Sequence, residues 1–438
     1  MEWPLALLLV LGSLFVFMIA GLPVAFSFMV VNLIGAFLWW GGMPGLTHVA
    51  VSIMSSLTRF ALLPLPLFIL MGEVIAHSGI APRMIDALDK WLGRLPGRLG
   101  LLAVGSGAVF STLTGVSMAS IAMMGPVLVP EMEKRGYKKS MSLGPIVGSG
   151  GIAVMIPPSA LAVLLGAIAE ISIGRILMGI ILPGVLIAIF HASYIIIRCA
   201  LQPSIAPAYE IPPIPVSEKL IASARYILPI GLVIFLVIGL IFLGVATPSE
   251  AAATGAIGTF ILAAMYGKLN WGVVKKSIMG SAQIAIMILI IIGGATAFSQ
   301  ILLFSGATKG LIELLAGLTV HPIFILITMQ IIVLVMGTFM ELSSIMMVTL
   351  PIFMPIVHAL GFNEVWFAVL MMLNMEMGAT TPPFGLNLFV MKNVATPDTT
   401  MEDVYKAALP FIGLDLILMA IIIAFPAIAL WLPSIMIR

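Results

Sequence analysis

Two prolines stand side by side inside an apolar run long enough to cross a bilayer. They are Pro382 and Pro383, in the stretch Asn374-Met375-Glu376-Met377-Gly378-Ala379-Thr380-Thr381-Pro382-Pro383-Phe384-Gly385-Leu386-Asn387. Proline has no amide hydrogen and clashes with the carbonyl four residues earlier, so a helix through this run breaks and frees the carbonyls of Gly378 and Ala379. In hydrocarbon a free carbonyl is costly, and irregular backbone persists only where protein buries it or where it lines a cavity. The run is therefore either a kinked helix satisfied by its neighbours or an unwound helix that binds something.

A second run has the same plan. Gly148-Ser149-Gly150-Gly151-Ile152-Ala153-Val154-Met155-Ile156-Pro157-Pro158-Ser159 lies 225 residues earlier. The offset recurs: Pro4 pairs with Pro229, Pro23 with Pro248, Pro126 with Pro351, Pro130 with Pro355, and Gly136 with Gly361. Composition alone gives about one proline pair at a chosen offset, so the six present read as an internal repeat.

Only 9% of the 438 residues are charged and 61% are hydrophobic. A soluble chain is about a quarter charged, so this is a polytopic membrane protein. The net charge of +2 gives no reason to expect nucleic acid as a partner. The one cysteine, Cys199, excludes an internal disulfide and a cysteine metal cluster. The histidines His48, His77, His191, His321 and His358 lack metal-ligand spacing and read as packed or interfacial residues. The N-terminus lacks the basic region of a signal peptide, so the first apolar run is expected to be a retained helix.

A span needs about 20 apolar residues. The first half offers spans near Pro4 to Ala20, Leu22 to Trp40 and Ala61 to His77, then an amphipathic stretch over Arg83 to Arg98. Leu99 to Glu133 is apolar but interrupted at Ser111 to Ser117, which predicts a re-entrant hairpin with a polar tip. A span broken at Pro157-Pro158 and another over Ile176 to Arg198 follow. The proline-rich segment Gln202 to Pro215 reads as an extended linker. The second half repeats the order: spans near Leu220 to Leu243, Pro248 to Tyr266 and Ser277 to Phe298, a hairpin over Pro322 to Leu360, a broken span over Val365 to Lys392, and a last span over Ala407 to Leu432.

The predicted fold class is thus an all-α polytopic membrane protein of two repeats, each of five spans plus a re-entrant hairpin. Five is odd, so the repeats are inverted relative to one another. With the N-terminus outside, the cytoplasmic loops hold 16 of the 20 Lys and Arg, leaving only Arg59, Arg175, Lys309 and Arg438 elsewhere. That is the positive-inside asymmetry of a periplasmic N-terminus.

Inverted repeats with discontinuous helices at matched positions point to a secondary transporter. Free carbonyls and hydroxyls are hard oxygen donors that suit a cation, and half-helix N-termini can face an anionic substrate. One cation site is expected between Thr114, Gly115 and Ser117 and the carbonyls of Ala153 and Val154. The other is expected among Gly337, Glu341, Ser343, the carbonyls of Gly378 and Ala379, and Thr381. Ser120, Ser159, Ser344 and Asn387 are candidates to touch substrate. Of the intramembrane carboxylates, Glu73 and Glu250 read as interfacial or interhelical hydrogen-bonding groups, while Glu341, Glu376 and Asp415 keep a functional reading open. The hairpins and broken spans are expected to move against a fixed scaffold. The divisions are scaffold over 1–60, transport part over 61–198 with its hairpin at 99–133, linker over 199–218, scaffold over 219–270, and transport part over 271–438 with its hairpin at 322–360.

At these motifs the chain resembles the large membrane (M) subunit of tripartite ATP-independent periplasmic (TRAP) transporters. The resemblance rests on Phe110 to Ser117, Ile156-Pro157-Pro158-Ser159, Pro183-Gly184-Val185, Ala246 to Ala252, Gly337 to Glu341 and Thr380 to Asn387. It implies sodium-coupled symport of an organic acid such as a dicarboxylate or sialic acid, by an elevator-type motion in the bacterial cell inner membrane. It also implies a small membrane (Q) subunit and a periplasmic substrate-binding protein as partners, with sodium as the coupling ion and no other cofactor. A binding-protein-independent sodium/dicarboxylate carrier is the alternative, although neither tip here has that group's Ser-Asn-Thr. An intramembrane enzyme is disfavoured, because no Ser-His or Asp-Asp pair has plausible spacing in a span.

Overall fold

The structure, a computed structural model, describes residues 2–93, 95–114, 117–207, 214–317 and 319–437, with only the backbone described at 81, 110–114 and 316. Every regular element among the described residues is helical. The first half runs α1 (Trp3–Ile19), α2 (Val24–Trp39), α3 (Met43–Leu57), α4 (Pro64–Ser78), α5 (Ala81–Leu92), α6 (Arg98–Thr114), α7 (Ser117–Lys134), α8 (Lys139–Met155), α9 (Ala160–Ala169), α10 (Ile173–Gly179) and α11 (Ile181–Leu201). The second half runs α12 (Val216–Ala222), α13 (Leu228–Phe242), α14 (Pro248–Met265), α15 (Trp271–Phe304), α16 (Ala307–Ala316), α17 (Pro322–Phe339), α18 (Leu342–Ala359), α19 (Glu364–Ala379), α20 (Leu386–Val394), α21 (Met401–Ala424) and α22 (Ala427–Ile435).

Local chemistry sets the helix ends. Thr247 and Glu250 close a capping box on α14, and Thr400 and Asp403 close another on α21. The Asn363 side chain accepts from the amides of Val365 and Trp366 at 3.0 and 3.1 Å and starts α19. Past α7 and α18 the chain reverses at Gly136 and Gly361, whose φ values of 81° and 70° suit a residue without Cβ.

The helix pairs α6–α7 and α17–α18 stand where hairpins are expected, and α8–α9 and α19–α20 where broken spans are expected. α7 begins at Ser117 and α18 at Leu342, 225 residues later. α8 and α9 meet at an angle of 46° across the Pro157-Pro158 break. Among the described residues seven helices are long and apolar enough to cross a membrane, or eight with the bent α8–α9 pair taken as one span. α1 and α2 are apolar but only 17 and 16 residues long.

Three expectations change. Met43–Leu57, to which the sequence reading assigns no span, is the helix α3, which buries Gly45, Val49, Ser52 and Ser56 and packs on α2 and α15. Its buried face is largely small and polar, so hydropathy did not reveal it. The final span is two helices, divided at Phe425-Pro426. The linker is not free at its start: α11 continues to Leu201, Ile205 and Ala206 are buried, and the Ile205 carbonyl accepts from the Lys138 amide at 2.9 Å. The middle of that linker, 208–213, lies outside the described residues.

Burial separates the helices by role. α1 buries only the stripe Ala6, Val10 and Leu14, as expected of a helix facing lipid elsewhere. By contrast, α8 is buried at every position from Met141 to Met155, and α19 from Val365 to Ala379. A helix apolar all round and enclosed all round is a core element. α8 and α19 pack against each other, ringed by α6, α7, α11, α17, α18 and α21. α4 and α15 pack together at the edge of that core and carry it against α2, α3 and α14. An Asn32 amide hydrogen bond to the Gly294 carbonyl at 2.7 Å ties α2 to α15.

Candidate functional site

The two helices that precede the breaks meet inside the core. On α8, the breaking prolines leave the carbonyls of Ala153 and Val154 without an amide donor among the described residues, and both residues are fully buried. On α19, the Ala379 carbonyl is likewise without an amide donor among the described residues. The Gly378 carbonyl differs from expectation: it accepts from the Thr381 amide at 3.0 Å, because the chain turns back at once instead of unwinding straight. The Thr381 hydroxyl donates to the Met377 carbonyl at 2.7 Å, keeping its lone pairs available.

Four helix segments converge on one buried polar chain. Ser117, at the start of α7, donates its hydroxyl to Asn387 Oδ1 at 3.3 Å. Asn387 lies on α20 and donates from Nδ2 to Glu376 Oε1 on α19 at 2.9 Å. Asn387 and Glu376 are fully enclosed, and Ser117 is nearly so. Among the described residues Glu376 Oε2 has no hydrogen-bond partner. α8 supplies the floor: a methyl group on Gly150 would stand 3.3 Å from Ser117 Cβ and 3.5 Å from Asn387 Nδ2. On Gly151 it would stand 3.6 Å from Glu376 Cγ and 3.8 Å from Asp415 Oδ2. Asp415 in turn pairs with His191, Oδ1 to Nε2, at 2.8 Å, and both are buried. The small residues of Gly148-Ser149-Gly150-Gly151 therefore let the acidic groups of α19 and α21 approach the backbone of α8.

The second hairpin makes a separate contact. Gly337 on α17 touches Gly378 on α19 backbone to backbone: a methyl group on Gly337 would lie 2.8 Å from Gly378 Cα. Glu341 caps α18, its carboxylate accepting from the amides of Ser343 and Ser344 at 3.0 and 3.3 Å and from the Ser343 hydroxyl. Asn374 donates to the carbonyl and the side-chain oxygen of Gln330, the latter at 2.9 Å, fixing α19 to α17.

The structure thus gathers Ser117 and Asn387 near α8, and Gly337, Gly378 and Ala379 near the second tip. Glu341 and Ser343 hold each other at the head of α18, and Ser344 is buried beside them. The side chain of Thr114 and all of Gly115 lie outside the described residues. Ser120 is buried on α7, and Ser159 caps α9, accepting from the Ala162 amide at 3.3 Å. Glu73 sits 3.1 Å from His77, and Glu250 closes its capping box. Sequence reasoning treated His191 as a packing residue and did not join it to Asp415. Their separation of 224 positions leaves no local signal; only the presence of a buried ionisable residue in each of two spans hints at it.

Carbonyls without amide donors, buried amides and a buried carboxylate thus gather inside an all-helical, largely apolar core among the described residues. Among solved structures the chain resembles the YdaH transporter of Alcanivorax borkumensis, with a TM-score of 0.63 and 15% identity over 89% of each chain. It also resembles MtrF of Neisseria gonorrhoeae, with a TM-score of 0.65 and 14% identity over 94% of this chain and 95% of that one. The fold is therefore shared with these two proteins. Residues 11–428 match the tripartite ATP-independent periplasmic transporter DctM component, and the chain belongs to that family. It is 31% identical to the C4-dicarboxylate TRAP transporter large permease protein DctM of Pseudomonas aeruginosa, over 88% of this chain and 89% of that one. It is 30% identical to the isethionate TRAP transporter permease protein DctMQ of Oleidesulfovibrio alaskensis, over 96% of this chain and 65% of that longer one. The sialic acid TRAP transporter large permease protein SiaM of Vibrio cholerae is 27% identical, over 97% and 96%.

Proposed function

We propose that this large permease subunit carries an organic acid inward across the bacterial inner membrane, driven by sodium and supplied by a periplasmic binding protein. The observation that carries the reading is the meeting of both broken spans in one enclosed core, where the Ala153, Val154 and Ala379 carbonyls lack amide donors. Such oxygens suit a weakly held hard cation, and sodium is the cargo that also supplies energy. The names of the relatives, a C4-dicarboxylate, a sialic acid and an isethionate permease, support an organic anion as substrate. The longer DctMQ relative supports a small membrane subunit as partner.

Matched hairpins and breaks at one offset support two inverted repeats and an elevator motion. In this reading α6–α11 and α17–α22 travel together. α1–α3, α13 and α14 stay fixed, and α4 and α15 form the boundary between the two parts. The 16-to-4 division of Lys and Arg supports a periplasmic N-terminus.

Uptake by proteoliposomes holding this chain with its small subunit tests the proposal. Organic-acid uptake that requires both a sodium gradient and the binding protein is the expected result. Uptake without the binding protein favours the independent carrier, and uptake without any ion gradient contradicts sodium coupling.

A further inference from the structure

Arg59 ends the α3 segment, and its Nη1 lies 2.7 Å from Glu170 Oε1 at the end of α9. The pair joins two bodies: α3 and α15 on one side, α9 and α18 on the other. Between them is a cavity of about 330 Å³, lined by Arg59, Glu170, Ser56, Ser299, Gln300 and His358. Arg59 and Glu170 also border a neighbouring cavity of about 620 Å³, so the pair stands on the wall between two open volumes.

This place is distinct from the enclosed core. Glu170 is eleven positions beyond Ser159 along α9, roughly 15 Å away. His358 is fourteen positions beyond Ser344 along α18, roughly 20 Å away. The cavity thus lies outboard of the breaks, on the face that the charge distribution assigns to the periplasm.

Its chemistry favours an anion. A guanidinium is permanently charged and offers a planar fork of donors that matches a carboxylate. His358 is already 2.7 Å from Glu364, which leaves Arg59 as the fixed positive charge on the cavity. The side chains of Arg59 and Glu170 are 42% and 69% exposed, and an ion pair so open to water contributes little. Exchanging the Glu170 carboxylate for another is then nearly neutral, which suits a place of transit. The Ser56 and Thr296 hydroxyls donate to carbonyls of their own helices. Ser299 and Gln300 stand beside them on the wall formed by α15, within reach of the rest of a small acid.

We propose that this cavity is an anion-receiving vestibule, in which Arg59 binds a carboxylate of the incoming acid and Glu170 is the counterion it displaces. The proposal rests on the reading of the protein as an organic-acid carrier and adds to it a first docking place outside the core.

The labelling arm of the test needs neither sodium nor partner subunits. In a Cys199→Ser background, Ser299→Cys is modified with a negatively charged and a positively charged methanethiosulfonate of similar size, with a neutral one to establish access. The anionic reagent should be favoured when Arg59 is present. Arg59→Gln should cut the anionic-to-cationic rate ratio by about tenfold, the effect of one nearby unit charge. Glu170→Gln should raise the ratio. Succinate and N-acetylneuraminate should slow modification, neutral succinamide should not, and protection should vanish in Arg59→Gln. Arg59→Lys should keep most of the charge preference and lose most of the protection, since it lacks the fork. Gel filtration of each variant reports folding. A ratio unchanged by Arg59→Gln, or protection by neither acid, overturns the vestibule. Arg59-dependent protection without sodium-driven uptake in liposomes retains it and rejects the carrier reading. Uptake without such protection does the reverse.

Discussion

Ser117 and Asn387 are 270 positions apart in the chain, and the hydroxyl of one meets the side-chain oxygen of the other at 3.3 Å in the enclosed core. This contact ties the second arm of the first hairpin to the helix that follows the second break. Through Asn387 it reaches Glu376, so one amide side chain is shared by both halves of the protein.

Asn387 is expected to be needed for stability as well as transport. Asn387→Ala removes the donor to Glu376 Oε1 inside the enclosed core. The loss should be about 1–3 kcal/mol, seen as a lower melting temperature in detergent, together with loss of uptake. A variant as stable as wild type shows that another donor takes over.

Gly337→Ala should force the second hairpin away from α19, because its new methyl group meets Gly378 Cα at 2.8 Å. Overpacking of this kind costs about 1–3 kcal/mol. Gly378→Ala strikes the same contact, so the double variant should lose less than the two single losses combined. Gly12→Ala, with nothing within 4 Å, is the control and should be neutral or slightly stabilising. Equal melting curves for Gly337→Ala and Gly12→Ala remove the close contact from the account.

Sodium should raise the melting temperature more than choline at equal ionic strength. At a hundredfold excess over its dissociation constant, a ligand of the folded state adds about 2.7 kcal/mol. Replacing Pro382 and Pro383 by Ala restores two amide donors beside α19 and should weaken the sodium response. A simple kink predicts altered stability with an unchanged sodium response, and that result takes this break out of the coupling mechanism.

Topology is open to direct labelling. Ser140 is exposed near the foot of the first hairpin, among the basic residues Lys134 to Lys139. In a Cys199-free protein, Ser140→Cys should react with an impermeant maleimide only from the cytoplasmic side. Labelling from the periplasm alone defeats the inverted arrangement.

Lys139 draws together Glu133 and Asp398, at 2.8 and 2.9 Å, with Thr396 and Thr399 beside them. The Asp398 carboxyl lies below its usual range, held there first by the hydrogen bond from Lys139 and next by Thr396. A carboxyl depressed on folding stabilises the protein above its unfolded-state value, and that contribution is lost as pH falls through the folded-state value. Asp398→Asn should therefore lower the melting temperature slightly at neutral pH, with the gap from wild type closing on acidification. A gap that persists at low pH assigns the effect to something other than the charge.

Much of this architecture is written locally. Paired prolines stop a helix wherever they occur, glycines such as Gly136 and Gly361 permit reversals, and long apolar runs require a bilayer or a core. The helix ends at the paired prolines and the matched starts of α7 and α18 were legible for that reason. α3 was not, because a short helix with serines and a glycine on its packed face carries no hydropathy signal. The partners of the polar residues were not legible either. Whether Asn387 faced a ligand or bridged Ser117 and Glu376, and whether His191 stood alone or beside Asp415, depended on how α7, α8, α11, α19, α20 and α21 cross. Sequence specified where the chain bends and what it must hide. Only tertiary packing decided which buried polar groups satisfy one another, because a hydrogen bond is set by contact in space between residues hundreds of positions apart.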